Sequence, residues 1–271
     1  MKSILIKSIK KLVSNRSLRN VLNLSWNPYY DITFHDTANN FEEAVSKINK
    51  STNFKNYDST LKYLSEEINS FQDFETKEQN KPSFIPMFFK FIELDRKKTL
   101  KILDIGGGVN PIGYYLKKFQ NIKTVSDVVE TNSYVKKIQK ELRDKYDYLK
   151  YYSNIKDLGS KKYDIVYFGT SLQYFEDNEL NFLNDTMKFN PNYIIISKNF
   201  FINGPKDIYS LQSSGRYRLV PHKFFSFDKI EKFMSDKNYE LIFKVNHGHN
   251  YIHNKMKKNE FNLMSLIFVK N

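Results

Sequence analysis

The chain has 271 residues, of which 40% are apolar and 16% aromatic, enough for one large domain, or one domain with a sizeable extension, around a full core. It contains no cysteine, which excludes a disulfide framework, a thiolate nucleophile and a cysteine-based zinc site and fits a reducing cytoplasm. Lys and Arg number 43 against 30 Asp and Glu, a net charge of +13. Such a surplus favours nucleic acid, anionic lipid or phosphorylated substrates. Here, however, the basic residues are spread along the whole chain, and the joint richness in Lys, Asn, Ile, Phe and Tyr reads as a drift toward A/T-rich codons.

Residues 1–97 read as a helical N-terminal extension or cap. The first twenty residues lack the apolar region of a signal peptide and fit an amphipathic helix, with Leu5, Ile9, Leu12 and Val13 on one side and Lys7, Lys10 and Lys11 on the other. Such a helix either docks on the protein's own core or rests on an anionic membrane surface. No apolar run is long enough to span a bilayer, so the expected location is the cytoplasm, with peripheral contact at the inner membrane face as the variant. An irregular aromatic segment follows at 24–30. Helical spacing then appears at 41–48 and 59–71, a proline-punctuated loop at 76–86 and a short apolar helix at 87–94.

From Leu100 to the end, residues 98–271 alternate strand and helix, the mark of an open, mostly parallel sheet. Strands are predicted at 100–105, 123–129, 149–152, 164–168, 193–197, 241–245 and 263–269. Helices are expected at about 110–119, 133–146, 179–189 and 227–236. The last two strands, after the last helix, form a hairpin added to the parallel sheet. The fold class is therefore α/β: a Rossmann-like, seven-stranded, mostly parallel sheet with a C-terminal antiparallel hairpin strand.

The chemistry concentrates after the first of these strands. Four of the nine glycines fall between 106 and 113: Gly106, Gly107 and Gly108 directly follow the strand that carries Asp104, and Gly113 opens the helix. A turn this dense in glycine lets backbone approach a ligand without Cβ clashes, and the helix start behind it offers free N–H groups. Glu130 ends the next strand, where an acidic side chain accepts hydrogen bonds from ribose hydroxyls.

The run LDIGGGVNPIG, then VVE, then YDIVYFGTSLQYFED and NYIIISKNFF resembles the motif series of class I S-adenosylmethionine-dependent methyltransferases. More narrowly it resembles methyltransferases of bacterial lipopolysaccharide and capsule gene clusters, through Gly106 to Gly108, Val128-Val129-Glu130, Leu172-Gln173-Tyr174 and Gln212, and more loosely through Ser25-Trp26 and Asn56-Tyr57-Asp58. The resemblance spans most of the chain from Trp26 onward. It implies S-adenosyl-L-methionine as cofactor, its ribose on Glu130, its amino or sulfonium charge near Asp104, and its adenine beside Asn154 or Asp157 with Ile155 against the ring. It departs at Asn110, which stands where the usual loop has its third glycine.

Gly169, Thr170, Gln173 and Tyr174 follow the fourth predicted strand, at the carboxyl edge where open sheets bind ligands. Methyl transfer needs the two partners held in line, and a hydroxyl acceptor also needs a base. Gln173 and Tyr174 are the expected pocket walls. The long segment 198–222 reads as a substrate wall or lid, with His222 as candidate base and Arg216 or Arg218 as phosphate ligands. His247, His249 and His253 lack metal-ligand spacing and read as a surface loop; His35-Asp36 reads as structural. The expected activity is methyl transfer to a surface-polysaccharide sugar or its precursor, the acceptor being a small molecule or glycan. The rival readings are an RNA or DNA methyltransferase, a nicotinamide-dependent sugar oxidoreductase, and a non-catalytic domain of the same fold.

Overall fold

The computed structural model describes residues 32–50, 98–108, 111–142, 146–175, 180–214, 218–248, 252–257 and 260–271. The expectations for 1–30, 56–94, Asn110, Arg216, His249 and the side chain of Arg218 lie outside the described residues.

In chain order the elements are β1 (Ile32–Ala38), α1 (Phe41–Lys50), β2 (Leu100–Ile105), α2 (Ile112–Gln120), β3 (Thr124–Val129), α3 (Asn132–Leu142), β4 (Leu149–Tyr152), β5 (Ile165–Gly169), α4 (Asn181–Met187), β6 (Tyr193–Ile202), β7 (Ile208–Ser214), β8 (Arg218–Ser226), α5 (Phe227–Asp236), β9 (Tyr239–Asn246), β10 (Ile252–His253) and β11 (Phe261–Lys270). Short 3-10 turns occupy Ile155–Leu158 and Leu172–Tyr174.

The main sheet runs β4-β3-β2-β5-β6-β11-β9. β2 through β6 are mutually parallel, while β11 runs antiparallel to both β6 and β9. The mixed sheet and its antiparallel hairpin are thus as expected. β2 and β5 are buried at nearly every position because both faces are covered, which is why their sequences read as unbroken apolar runs. On one face Leu103, Val166, Phe168 and Ile196 pack with Leu183 of α4 and Ile230 of α5. On the other, Ile102, Ile165, Tyr167 and Ile195 pack with Ile112 and Leu116 of α2. α2 seats at backbone distance, since a Cβ on Gly113 would lie 1.8 Å from Ser126 Oγ.

Among the described residues there are eleven strands, four more than the seven expected. A second sheet, β10-β1-β7-β8, joins the first where β8 pairs with the end of β6 (Phe201↔Phe225, Ile202↔Ser226). Part of the region expected to be helical is therefore the strand β1, paired with β7, and the expected loop at 198–222 is largely the β7–β8 hairpin. The pattern of β7 concealed it. Tyr209 and Leu211 are buried on one face and Ser210 and Gln212 on the other, so the alternation of β7 does not separate a buried face from a solvent face. Phe34, Phe200, Phe224, Phe261 and Leu263 form the core between the two sheets.

Candidate functional site

The turn after β2 is built on close approaches. Gly106 adopts φ +71°, and a Cβ there would lie 2.4 Å from the Cβ of Ser171, whose hydroxyl donates to the Ile105 carbonyl. A Cβ on Gly107 would meet the Asp104 carboxylate at 2.6–2.8 Å. Gly108 adopts φ +56°, and its N–H donates to Glu130 Oε1 at 3.0 Å. The other Glu130 oxygen accepts from the Thr131 N–H at 3.0 Å, and the Glu130 N–H donates to the Tyr152 carbonyl. Glu130 is thus pinned at the carboxyl end of β3, facing the glycine turn, and each oxygen of a carboxylate can accept more than one hydrogen bond.

Asp104 is fully buried. Its Oδ2 accepts the first N–H of α2, from Ile112, at 2.6 Å, while Oδ1 has no hydrogen-bond partner among the described residues. Burial pushes its pKa up to about 7; the Ile112 N–H opposes the rise and the Glu130 charge adds to it. Tyr151 was not singled out in the sequence, where it is one of several adjacent tyrosines. Burial raises its pKa, and the charges of Asp104, Glu130 and Tyr148 add to the rise.

The segment expected to meet adenine is organised differently. Asn154 Oδ1 accepts the Lys156 N–H at 2.9 Å and so caps the short 3-10 turn, leaving its side-chain N–H groups available. Asp157 is exposed. Ile155 is buried in the main core beside Leu103, Val129 and Leu158, so it supports the turn from beneath.

The rim after β5 brings distant residues together. Thr170 follows Gly169 with φ +57°, held by its N–H on the Ser197 carbonyl at 2.8 Å. Gln173 is buried, its Nε2 donating to the Thr170 carbonyl at 2.8 Å. Tyr174 is 42% exposed, and its hydroxyl donates to Gln212 Oε1 of β7 at 3.0 Å. The ring of Tyr174 lies 5.9 Å from that of His222 on β8, so the second sheet overhangs this rim. Gly169 has no room for a side chain because the Tyr167 ring lies over it, 2.6 Å from where a Cβ would stand. Asn199, which carried no signal in the sequence, hangs on the same rim by Nδ2 contacts to the carbonyls of Ser197 (2.9 Å) and Phe168 (3.4 Å).

His222 lies beside Tyr174, but its surroundings oppose the role of base. It is fully buried among Phe34, Phe200 and Phe224, neither ring nitrogen has a partner among the described residues, and burial lowers its pKa to about 3. Its protonated form is strongly disfavoured there. His247 and His253 are not merely residues of a surface loop. His247 Nε2 pairs with Ser265 Oγ at 2.6 Å. His253 is buried, its Nδ1 accepting the N–H groups of Lys255 and Met256. Its Nε2 therefore carries the proton and donates to Ser210 Oγ at 3.1 Å. Ser210 in turn donates to the His35 and Asp36 carbonyls, so His253 ties β10 and β7 to β1.

No protein-family model and no curated protein matches the chain. Solved structures similar to it are S-adenosylmethionine-dependent methyltransferases. One from Clostridium acetobutylicum is 13% identical, covering 75% of this chain and 99% of its own, with a TM-score of 0.45. Another, from Methanosarcina mazei, is 12% identical over 68% of this chain and 97% of its own, at TM-score 0.47. The 1,6-didemethyltoxoflavin-N1-methyltransferase of Burkholderia thailandensis, with bound substrate and S-adenosylhomocysteine, is 10% identical over 79% and 90%, at TM-score 0.42. At these identities and scores nothing of this chain's chemistry is taken from them. Among the described residues, no helix is long and apolar enough to cross a membrane.

Proposed function

We propose that the protein is an S-adenosylmethionine-dependent methyltransferase. The observation that carries this reading is the state of Asp104. A turn built for a dinucleotide pyrophosphate leaves its helix N-terminus open to an anion. Here the first N–H of α2 is already taken by a buried carboxylate of the chain itself, and that carboxylate keeps one oxygen without a partner among the described residues. Such a site repels phosphate and attracts a cation. An amino acid end bearing an ammonium group beside a sulfonium suits it; the pyrophosphate of a nicotinamide cofactor does not.

When bound, the cofactor supplies an electrophilic methyl group to a nucleophilic oxygen or nitrogen of the acceptor. The chain's own part is positioning. Asp104 and the turn Gly106–Gly108 receive the charged amino acid end, the Glu130 carboxylate accepts from ribose hydroxyls, and the Asn154 amide is at hand for adenine. Thr170, Gln173 and Tyr174 line the side from which an acceptor approaches. We read that acceptor as a sugar of a surface polysaccharide or its precursor. What supports it is the resemblance carried by Leu172-Gln173-Tyr174 and Gln212, two segments that the Tyr174–Gln212 hydrogen bond joins.

Thermal unfolding with S-adenosylhomocysteine against NAD tests the reading, because a ligand that binds only the folded state raises the melting temperature. S-adenosylhomocysteine is expected to stabilise the wild type, NAD is not, and Glu130→Ala or Gly106→Val abolishes the shift. Stabilisation by NAD alone, or by neither, refutes the proposal.

A further inference from the structure

Three buried side chains on the rim beside Thr170 hold polar atoms with no hydrogen-bond partner among the described residues: Gln173 Oε1, Asn199 Oδ1 and both ring nitrogens of His222. Gln173 is 2% exposed, and Asn199 and His222 are 0% exposed. Buried polar atoms are nearly always paired, and each exception calls for an explanation.

The two amides are oriented by what they already do. Gln173 Nε2 faces the Thr170 carbonyl; Asn199 Nδ2 faces the carbonyls of Ser197 and Phe168. A flip would set oxygen against oxygen, so the N–H side of each amide must face the backbone and the C=O side must face away. Both therefore hold a bare acceptor just past the end of β5, Gln173 in the 3-10 turn that follows it and Asn199 on the neighbouring β6. His222 adds a neutral imidazole with one donor and one acceptor, walled by Phe34, Phe200, Phe224 and Tyr174. None of the three side chains carries a charge at neutral pH. The cation adjoining Asn199 in sequence, Lys198, is half-buried, and its charge bears on His247.

We infer that this rim is the acceptor subsite and that it takes a neutral group presenting several hydrogen-bond donors, hydroxyls or amines as on a sugar or amino sugar, and not a phosphate or carboxylate. The inference rests on the methyltransferase reading and deepens it. Bare carbonyl oxygens gain a partner from O–H or N–H and repel an anionic oxygen. A hydroxyl or amine held by Gln173 or Asn199 through its own proton keeps a lone pair free to attack a methyl group, and the proton it sheds on transfer leaves to solvent. Transfer forms one bond from oxygen or nitrogen to carbon and breaks one from carbon to sulfur.

The test uses the full chain loaded with S-adenosylhomocysteine, titrated calorimetrically at pH 7.5 with methyl glucoside, glucosamine, glucose 6-phosphate and glucuronate. Methyl glucoside or glucosamine is expected to bind, and the two anionic sugars to bind no more tightly. Gln173→Met and Asn199→Leu should each weaken the binding by about tenfold, the usual scale for losing one buried hydrogen bond to a ligand, while the thermal shift with S-adenosylhomocysteine is retained. Should Asn199→Leu fail to fold, Gln173→Glu serves in its place: a carboxylate there should shift preference toward glucosamine over methyl glucoside. Tighter binding of the phosphate or carboxylate, unchanged affinity in the variants, or no sugar binding to a chain that still responds to S-adenosylhomocysteine overturns this inference alone. A chain that does not respond to S-adenosylhomocysteine overturns the cofactor reading beneath it.

Discussion

Replacing Asp104 by Asn should make the ligand-free protein more stable at pH 8 and a poorer binder of its cofactor. The carboxyl pKa moves from an ordinary 3.8 to about 7 in the folded chain, a rise of roughly three units. At 1.36 kcal/mol per unit this is about 4 kcal/mol of preference for the protonated form. The sign follows from which form the fold prefers. Because the folded pKa is raised, the favourable contribution is complete below the unfolded pKa and is lost as pH rises through the folded value, so by pH 8 the carboxylate is a net cost. Asn is neutral throughout, and its side-chain oxygen can keep the Ile112 N–H bond. The stability of Asp104→Asn relative to wild type should therefore climb between pH 4 and pH 8 by about 4 kcal/mol, or roughly 8–16 °C in melting temperature. Urea unfolding at several pH values measures it, and the difference between the two proteins cancels contributions from other groups, His222 included. The same variant should bind S-adenosylhomocysteine more weakly, and wild-type affinity should increase with pH up to about 7 and then level, because only the carboxylate attracts the ammonium group. A difference in stability that does not vary with pH, or a variant less stable than wild type at pH 8, would falsify the picture of a buried carboxylate lacking compensation.

Three further outcomes follow from the same geometry. Gly107→Ala drives a methyl group to within 2.6 Å of the Asp104 carboxylate; overpacking of this kind costs about 1–3 kcal/mol, so urea unfolding should show that loss together with a lost thermal response to S-adenosylhomocysteine, and an unaffected response would mean the turn does not hold the ligand. Tyr174→Phe removes the bond to Gln212 at a cost of about 1 kcal/mol; cofactor affinity should stay within about twofold while sugar binding declines, and a collapse in cofactor affinity would place Tyr174 in the wrong subsite. His222 has its folded pKa lowered from 6.5 to about 3, so its contribution is intact above pH 6.5 and is lost as pH falls toward 3. His222→Leu should accordingly shift the acid-unfolding midpoint to lower pH, and an unchanged midpoint would mean the imidazole is solvated.

The parts that were legible in the sequence are those whose physics is local. The main-sheet strands could be read because both faces are covered, which demands continuous apolar runs. The glycine turn could be read because Asp104, Gly106 to Gly108 and Glu130 are joined by one strand–helix–strand unit, and because only glycine fits against Ser171 and the Asp104 carboxylate. What the sequence did not disclose depends on partners far along the chain. β1 is a strand because Phe34 pairs with Gln212, and nothing in its seven mixed residues requires that alone. In the β7–β8 hairpin Ser210, Gln212, His222 and Lys223 are buried as fully as Tyr209 and Leu211, so residue polarity there did not report burial and the segment read as a loop.

The residue types at the site were therefore set by the chain itself, while their protonation states and unpaired atoms were decided by tertiary burial. Asp104 is an ordinary carboxylate until β2, β5 and α2 enclose it. His222 is an ordinary imidazole until Phe34, from the opposite end of the chain, closes over it. Asn199 is one asparagine among many until its N–H groups are drawn onto the Ser197 and Phe168 carbonyls and its oxygen is left bare. Desolvation acts through surrounding atoms rather than neighbours in sequence, and those atoms are assembled only when the two sheets pack.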